Sequence, residues 1–252
     1  MKKDIKKAGT GKRIGVHMKR YLPLYLMMLP GLVYLFINNY MPMGGILIAF
    51  KKYNYAKGIF GSPFVGLKNF EFLFATKEAW TITRNTLMYN LVFIVLGTVL
   101  AIAVAILLNE IRSKMAKKVY QTVILIPFLI SIVVVSYLVY GFLSTDAGFI
   151  NNSILNAMGK EGIGWYSEPK YWPGILIFVN IWKNLGYNCI IYYATVVGLD
   201  TSLYESAAID GANRWQKILH VTLPGLKPTI ITLTLMSVGR IFYSDFGLFY
   251  QV

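Results

Sequence analysis

Cysteine, histidine and charge are all scarce in this chain. Its one cysteine, Cys189, leaves no partner for a disulfide scaffold, and its two histidines, His17 and His220, stand too far apart to form a Cys/His metal cluster. Charged residues make up 14% of the 252 positions, where soluble domains carry about 25%. That deficit excludes an ordinary soluble domain. Hydrophobic residues reach 56%, which excludes a disordered chain. The 22 glycines follow no period, which excludes a collagen-like one. What charge there is leans one way: 25 Lys and Arg against 11 Asp and Glu, a net +14.

Long runs without any charge dominate instead. Tyr21 to Phe50 spans 30 such residues, Asn85 to Asn109 spans 25, and Val119 to Thr145 spans 27. Tyr171 to Leu199 adds 29 residues interrupted only by Lys183, and the stretch from Pro228 onward holds only Arg240 and Asp245. Each of the first four exceeds the roughly 20 apolar residues that cross a bilayer as a helix. The pattern predicts an all-α integral membrane protein with five transmembrane helices. The first run is too long for the apolar part of a secretory signal, and no small-residue cleavage site follows it. Pro127, inside the third run, predicts a kink there.

The excess of positive charge sets an orientation. With the N-terminus inside, segments 1–20, 110–118 and 200–227 hold eight, four and three Lys and Arg, fifteen in all. The outside segments 51–84 and 144–170 hold six and two, eight in all. Cytoplasmic loops carry the excess of Lys and Arg, so the bias predicts an N-inside, multi-pass protein. The basic tail can also touch anionic lipid headgroups. Nucleic acid is not needed to explain the charge.

No catalytic constellation stands out. Gly9-Thr10-Gly11-Lys12-Arg13 superficially resembles a phosphate loop, but Lys6 occupies the required first glycine and Arg13 replaces Ser or Thr. Nothing in the sequence points to a cofactor or a metal.

The loop between the fourth and fifth runs is more informative. It reads LDTSLYESAAIDGANRWQKILHVTLP from Leu199 to Pro224. Thr201 or Ser202 can cap a helix whose first turn gains Glu205 near the positive end of the dipole. Ser206, Ala207 and Ala208 keep its surface low, and Gly211 ends or bends it. A second helix with Trp215, Ile218 and Leu219 then runs to Leu223-Pro224. A short helix of this kind fits a groove in a partner protein; the alternative is an amphipathic helix lying on the bilayer.

The spacing Glu-Ala-Ala, three residues, Gly, nine residues, Ile-x-Leu-Pro resembles the EAA loop of bacterial ABC importer permeases. Glu205, Ala207, Gly211, Leu223 and Pro224 are in register, with Ser206 for the first alanine and Val221 for the isoleucine. Asp210-Gly211-Ala212 is similar to a variant found in sugar permeases. The stretches Met41–Phe50, Gly58–Pro63 and Val65–Phe70 resemble the first outer loop of the oligosaccharide and polysaccharide (LplB-like) branch of the maltose-permease type group. Together these resemblances cover nearly the whole chain from Tyr21.

The resemblance implies a carbohydrate ABC permease subunit, with no enzymatic activity of its own, in the bacterial plasma membrane. It implies ABC ATP-binding subunits as partners, a second homologous permease, an extracellular solute-binding protein, a carbohydrate substrate and surrounding membrane lipid. Glu205, Ser206, Ala207, Ala208, Asp210, Gly211, Ala212, Leu223 and Pro224 would then couple ATPase closure to alternating access. The implied division is a basic cytoplasmic tail (1–20), a first transmembrane helix with outer loop (21–84) and a permease transmembrane domain (85–252). The family has at least six spans, so five spans read as a chain cut short before its last helix.

Polar residues inside the apolar runs suggest a path. Asn180, Lys183, Asn184, Tyr187 and Asn188 follow a spacing of i, i+3, i+4, i+7 and i+8, one face of a helix. Amides and aromatic rings suit a glycan, and a mid-bilayer lysine must face protein or water. The competing reading is that these side chains only join helices to one another. Ser237, Arg240 and Ser244 form a shorter stripe in the last run. An ABC permease for a non-sugar solute, or a stand-alone secondary transporter or channel, is the alternative function. The latter would show inverted repeats or an intramembrane coupling carboxylate; no repeat is visible, and Asp245 near a run's end is the sole candidate acid.

Overall fold

The computed structural model describes residues 10–252, with side chains from Tyr21 onward. Side chains of the basic tail, including the Gly9–Arg13 run and His17, lie outside the described residues. Among the described residues no strand forms beyond one isolated bridge, Lys51 with Phe64. The chain divides into two compact units between Trp80 and Thr81.

In the first unit, α1 (Thr10–Leu35) continues through a π turn, Phe36–Tyr40, into a 3₁₀ stretch, Met41–Phe50. The Met41–Phe50 segment, which the family resemblance assigns to a loop, is therefore helical. Pro42 sits at its first turn, where a missing N–H costs nothing. The loop that follows folds back on itself. Lys51 Nζ donates to the carbonyls of Ile59 (3.0 Å) and Phe60 (3.1 Å). Asn69 Nδ2 donates to those of Ala49 (2.9 Å) and Lys51 (3.0 Å). A short helix, α2 (Lys68–Ala75), closes this unit.

Next come α3 (Lys77–Glu110), α4 (Lys114–Leu129) and α5 (Ile132–Leu143). The chain continues through α6 (Trp172–Val197), the short α7 (Thr201–Ile209) and α8 (Arg214–Val238), which carries a π turn at Ile218–Thr222. Among the described residues four helices are long and apolar enough to cross a membrane, five when the bent pair α4–α5 counts as one span.

That pair corrects the expected kink at Pro127. α4 runs through Pro127 to Leu129, and the chain then breaks at Ile130–Ser131 with a bend of 96°. Ser131 supplies the reason: its hydroxyl accepts the Val134 N–H at 3.4 Å and starts a new helix. A second correction concerns the last span. It begins at Arg214, not Pro228, because the loop's second helix runs straight into it through Pro224 and Pro228. The wider π turn stands directly ahead of Pro224, where a proline removes an intrahelical bond. α8 then stops at Val238, so Arg240 lies in the following turn, Ser244 lies beyond that turn, and neither shares a helical stripe with Ser237.

Small residues let the helices of the second unit approach closely. Ala101, Ala105 and Leu108 of α3 pack with Cys189, Tyr192 and Val196 of α6 and Leu226 of α8. At Gly186 an added Cβ would press on the Ile124 carbonyl and lie 2.9 Å from Leu125 Cα, so α4 and α6 meet backbone to backbone. Thr195 and Thr229 share a hydroxyl hydrogen bond of 3.2 Å between α6 and α8. Elsewhere large apolar side chains point outward along the helices, as lipid-facing surfaces require.

Between α5 and α6 the chain winds around Asn151, only 5% exposed. Its amide donates to the carbonyls of Thr145 (3.2 Å) and Ile163 (2.9 Å). Its carbonyl accepts from Ile163 N–H (3.2 Å) and Trp165 Nε1–H (2.9 Å). Every polar group of this buried amide is thus satisfied.

Candidate functional site

A cavity of about 360 Å³ opens between α3, α4, α6 and α8. From the predicted stripe on α6 it takes Asn180, Asn184, Tyr187 and Asn188, together with Tyr192. Ser237 and Arg240, which the sequence placed on one stripe, both line it, one from α8 and one from the turn beyond. Asn184 Nδ2 donates to the Asn180 carbonyl at 3.0 Å, which leaves its own carbonyl oxygen for the cavity. Tyr187 stacks on Phe128, centroids 4.7 Å apart and planes 15° from parallel. The wall thus alternates amides with a flat aromatic surface.

Lys183 is the exception. It lines no part of this cavity; its ammonium instead donates to the carbonyls of Pro127 (3.4 Å), Phe128 (3.4 Å) and Ile130 at the end of α4. On a helix wheel it stands at the stripe's edge facing α4, and its long side chain reaches the orphan carbonyls of the break. A cation there also favours the negative end of the α4 dipole.

Sequence reasoning missed the contribution of α3. Asn90, Gly97 and Thr98 line the cavity at i, i+7 and i+8, the same periodic signal that marked α6. Asn90 also anchors the turn after α8, since its Nδ2 donates to the carbonyls of Ile241 and Tyr243, both at 2.9 Å. Ser244 is not among the lining residues.

The exposed loop between α6 and α8 has a built geometry of its own. Asp200, rather than Thr201 or Ser202, caps α7: its Oδ1 accepts the Ser202 N–H at 2.9 Å. That bond holds the Asp200 carboxyl below the usual carboxylate range. Glu205 falls in the second turn, so the first turn carries no acid. α7 ends in a Schellman arrangement, with Ala212 N–H on the Ala207 carbonyl (2.9 Å) and Gly211 N–H on Ala208 (3.1 Å). Gly211 supplies the left-handed φ of +79° this requires. Asn213 and Gln216 then form a reciprocal capping box at 2.9 and 2.7 Å that starts α8.

Tyr204 bonds the Thr222 hydroxyl at 2.9 Å and so ties α7 to α8. Ala207, half-buried, faces back over a small hollow with Asp210, Gly211, Ala212 and Gln216. Glu205, Ser206, Ala208 and Ile209 point outward, Ile209 88% exposed. Leu223 is half-buried and Pro224 exposed within α8.

Residues 93–244 match the family described as the binding-protein-dependent transport system inner membrane component. The chain belongs to this family. It is therefore a multi-pass permease subunit of a transport system, and its all-α spans are those of an ABC importer permease. The permease is similar to the polygalacturonan/rhamnogalacturonan transport system permease protein YteP of Bacillus subtilis, 37% identical over 90% of this chain and 71% of that protein. Protein LplB of Bacillus subtilis is 34% identical over 92% of this chain and 73% of its own length. In three dimensions the permease resembles a chain of a bacterial ABC transporter that imports the acidic polysaccharide alginate. The TM-score is 0.84 at 35% identity, over 93% of this chain and 78% of that one. The same kind of transporter has been crystallised with a periplasmic protein holding an alginate pentasaccharide, TM-score 0.82 at 36% identity, over 91% of this chain and 75% of that one.

Proposed function

We propose that this permease carries oligosaccharides across the membrane as one half of a paired ABC channel. A second, homologous permease completes the passage, an extracellular solute-binding protein delivers the sugar, and separate ATP-binding subunits hydrolyse ATP. One observation carries this reading. α8 begins beside the exposed α7 loop and carries Ser237, on the cavity wall, in its last turn. Its 25 residues span about 37 Å at 1.5 Å per residue. An ATP-binding subunit that grips α7 moves a continuous run of helix whose far end shapes the cavity.

In this scheme Glu205, Ser206, Ala208 and Asp210 meet the ATP-binding subunit on the cytoplasmic side. Ala207, Gly211 and Ala212 hold the turn, and Leu223 and Pro224 pass movement into α8. Asn180, Asn184, Tyr187 and Asn188 contact the glycan, with amides for hydroxyls and a ring for the sugar's apolar face. Lys183 leaves this set and serves the break instead. The sugar names of YteP and the alginate importer support the substrate class.

Two substitutions test both halves. Asn184→Leu should cut sugar uptake and leave the complex assembled. Ala208→Trp should loosen the ATP-binding subunit, because bulk at a packed interface costs about 1–3 kcal/mol, while the permease pair survives. A helix resting on lipid would instead accept the tryptophan. Co-purification of the ATP-binding subunit with Ala208→Trp at full yield, with normal uptake, would reject the coupling role.

A further inference from the structure

We infer that the sugar this permease carries is an acidic one, a uronate-containing oligosaccharide, and that the guanidinium of Arg240 receives its carboxylate. This rests on the carbohydrate reading above and narrows it. Among the described residues Arg240 is the one charged side chain on the cavity wall, and no Asp or Glu lines it. Among those same residues its guanidinium has neither a hydrogen-bond nor an ionic partner; the ion pair found there joins Lys170 to Glu168.

The nearest acid in sequence, Asp245, is turned to its own backbone, where Oδ1 accepts the Leu248 N–H at 3.3 Å. The backbone that carries Arg240 is nonetheless held in position. Asn90 clamps the carbonyls of Ile241 and Tyr243 on either side of the turn, and Tyr243 N–H closes it on the Arg240 carbonyl at 2.8 Å. Arg240 is exposed in the turn beyond α8, so its guanidinium is free to meet an anion at the cavity wall. The fork of a guanidinium matches a carboxylate in two parallel hydrogen bonds. The other lining groups are amides, hydroxyls, the Tyr187–Phe128 stack and a few apolar side chains such as Phe93, Ile94 and Leu233, which suit the rest of a sugar and no second charge.

The test uses the assembled transporter in phosphatidylcholine nanodiscs, read by saturation-transfer NMR so that weak binding is seen without the delivering protein. The probes are a trisaccharide of uronic acid and its methyl ester, which keeps the skeleton and removes the charge. The unmodified complex should bind the acid about tenfold or more tightly than the ester, the effect of one charge-assisted hydrogen bond. Arg240→Gln should bring the acid down to the ester's level, and Arg240→Lys should retain part of the preference. Equal binding of both probes, or a preference that survives Arg240→Gln, overturns the inference and leaves the carbohydrate reading intact. Loss of the preference when phosphatidylglycerol replaces phosphatidylcholine would assign Arg240 to a lipid headgroup and overturn it as well. Binding of neither probe would remove the carbohydrate reading itself.

Discussion

The Lys183 ammonium donates to the Ile130 carbonyl, at the point where α4 stops and α5 turns away by 96°. With the Pro127 and Phe128 carbonyls beside it, this one side chain satisfies backbone that the break leaves bare.

Lys183→Met should therefore destabilise the protein rather than alter sugar recognition. Leaving such a half-buried acceptor unpaired costs about 1–3 kcal/mol, and the purified complex should melt several degrees lower. Lys183→Arg, which keeps the donors, should recover most of that loss. A melting temperature unchanged in Lys183→Met would show that the carbonyls find other partners.

At Gly211 the issue is backbone geometry, not space. Nothing lies within 4 Å of where a Cβ would stand, yet φ is +79°. A left-handed residue with a side chain costs roughly 1–2 kcal/mol, more when β-branched. Gly211→Ala should weaken sugar-stimulated ATP hydrolysis several-fold, and Gly211→Val should do so further, with the permease still inserted. Gly211→Asn, which tolerates this region, should be the mildest of the three. Equal activity in all three would refute the geometric requirement.

Asp200 predicts a pH dependence confined to acid. Its carboxyl titrates below the ordinary carboxylate value because the charged form accepts the Ser202 N–H. The stabilisation of α7 is therefore fully present above that ordinary value and fades as pH falls through the lowered one. Hydrogen-exchange protection of the α7 amides should be flat near neutrality and drop only in strong acid. Asp200→Asn keeps a capping oxygen without a titrating group, so its protection should show no such drop. A midpoint near neutrality in the unmodified protein would contradict this account.

Charge gaps were enough to locate α3 and α6, because a bilayer demands uninterrupted apolar length. They failed at Val119–Thr145, where the 27 apolar residues form two helices. The local cue was Ser131, a hydroxyl able to start a helix, and it was overshadowed by Pro127. The cation that makes the break tolerable sits on α6, 53 residues from Ile130, and no local pattern reveals that pairing. Lys183 was legible as an intramembrane charge needing a partner, but its partner was not. The cavity was half legible for a similar reason: the α6 stripe shows its period, whereas Phe128 and Arg240 reach the same space from a helix end and a turn. In the α7 loop Gly211 was readable as a stop, while the outward turn of Ala208 and the inward turn of Ala207 depend on how α7 packs on α8 through Tyr204 and Thr222.

Cys189 lies fully buried among Ala101, Ala105 and Leu226. A water-soluble maleimide has no route to that sulfur while the helices stay packed. A water-soluble maleimide should therefore leave Cys189 unlabelled, and a reporter cysteine placed at Asn213, Ile209 or Tyr243 should be the group in this sequence that reacts. Movements of the loop and of the cavity rim can then be followed by spectroscopic labels with the native sequence otherwise intact.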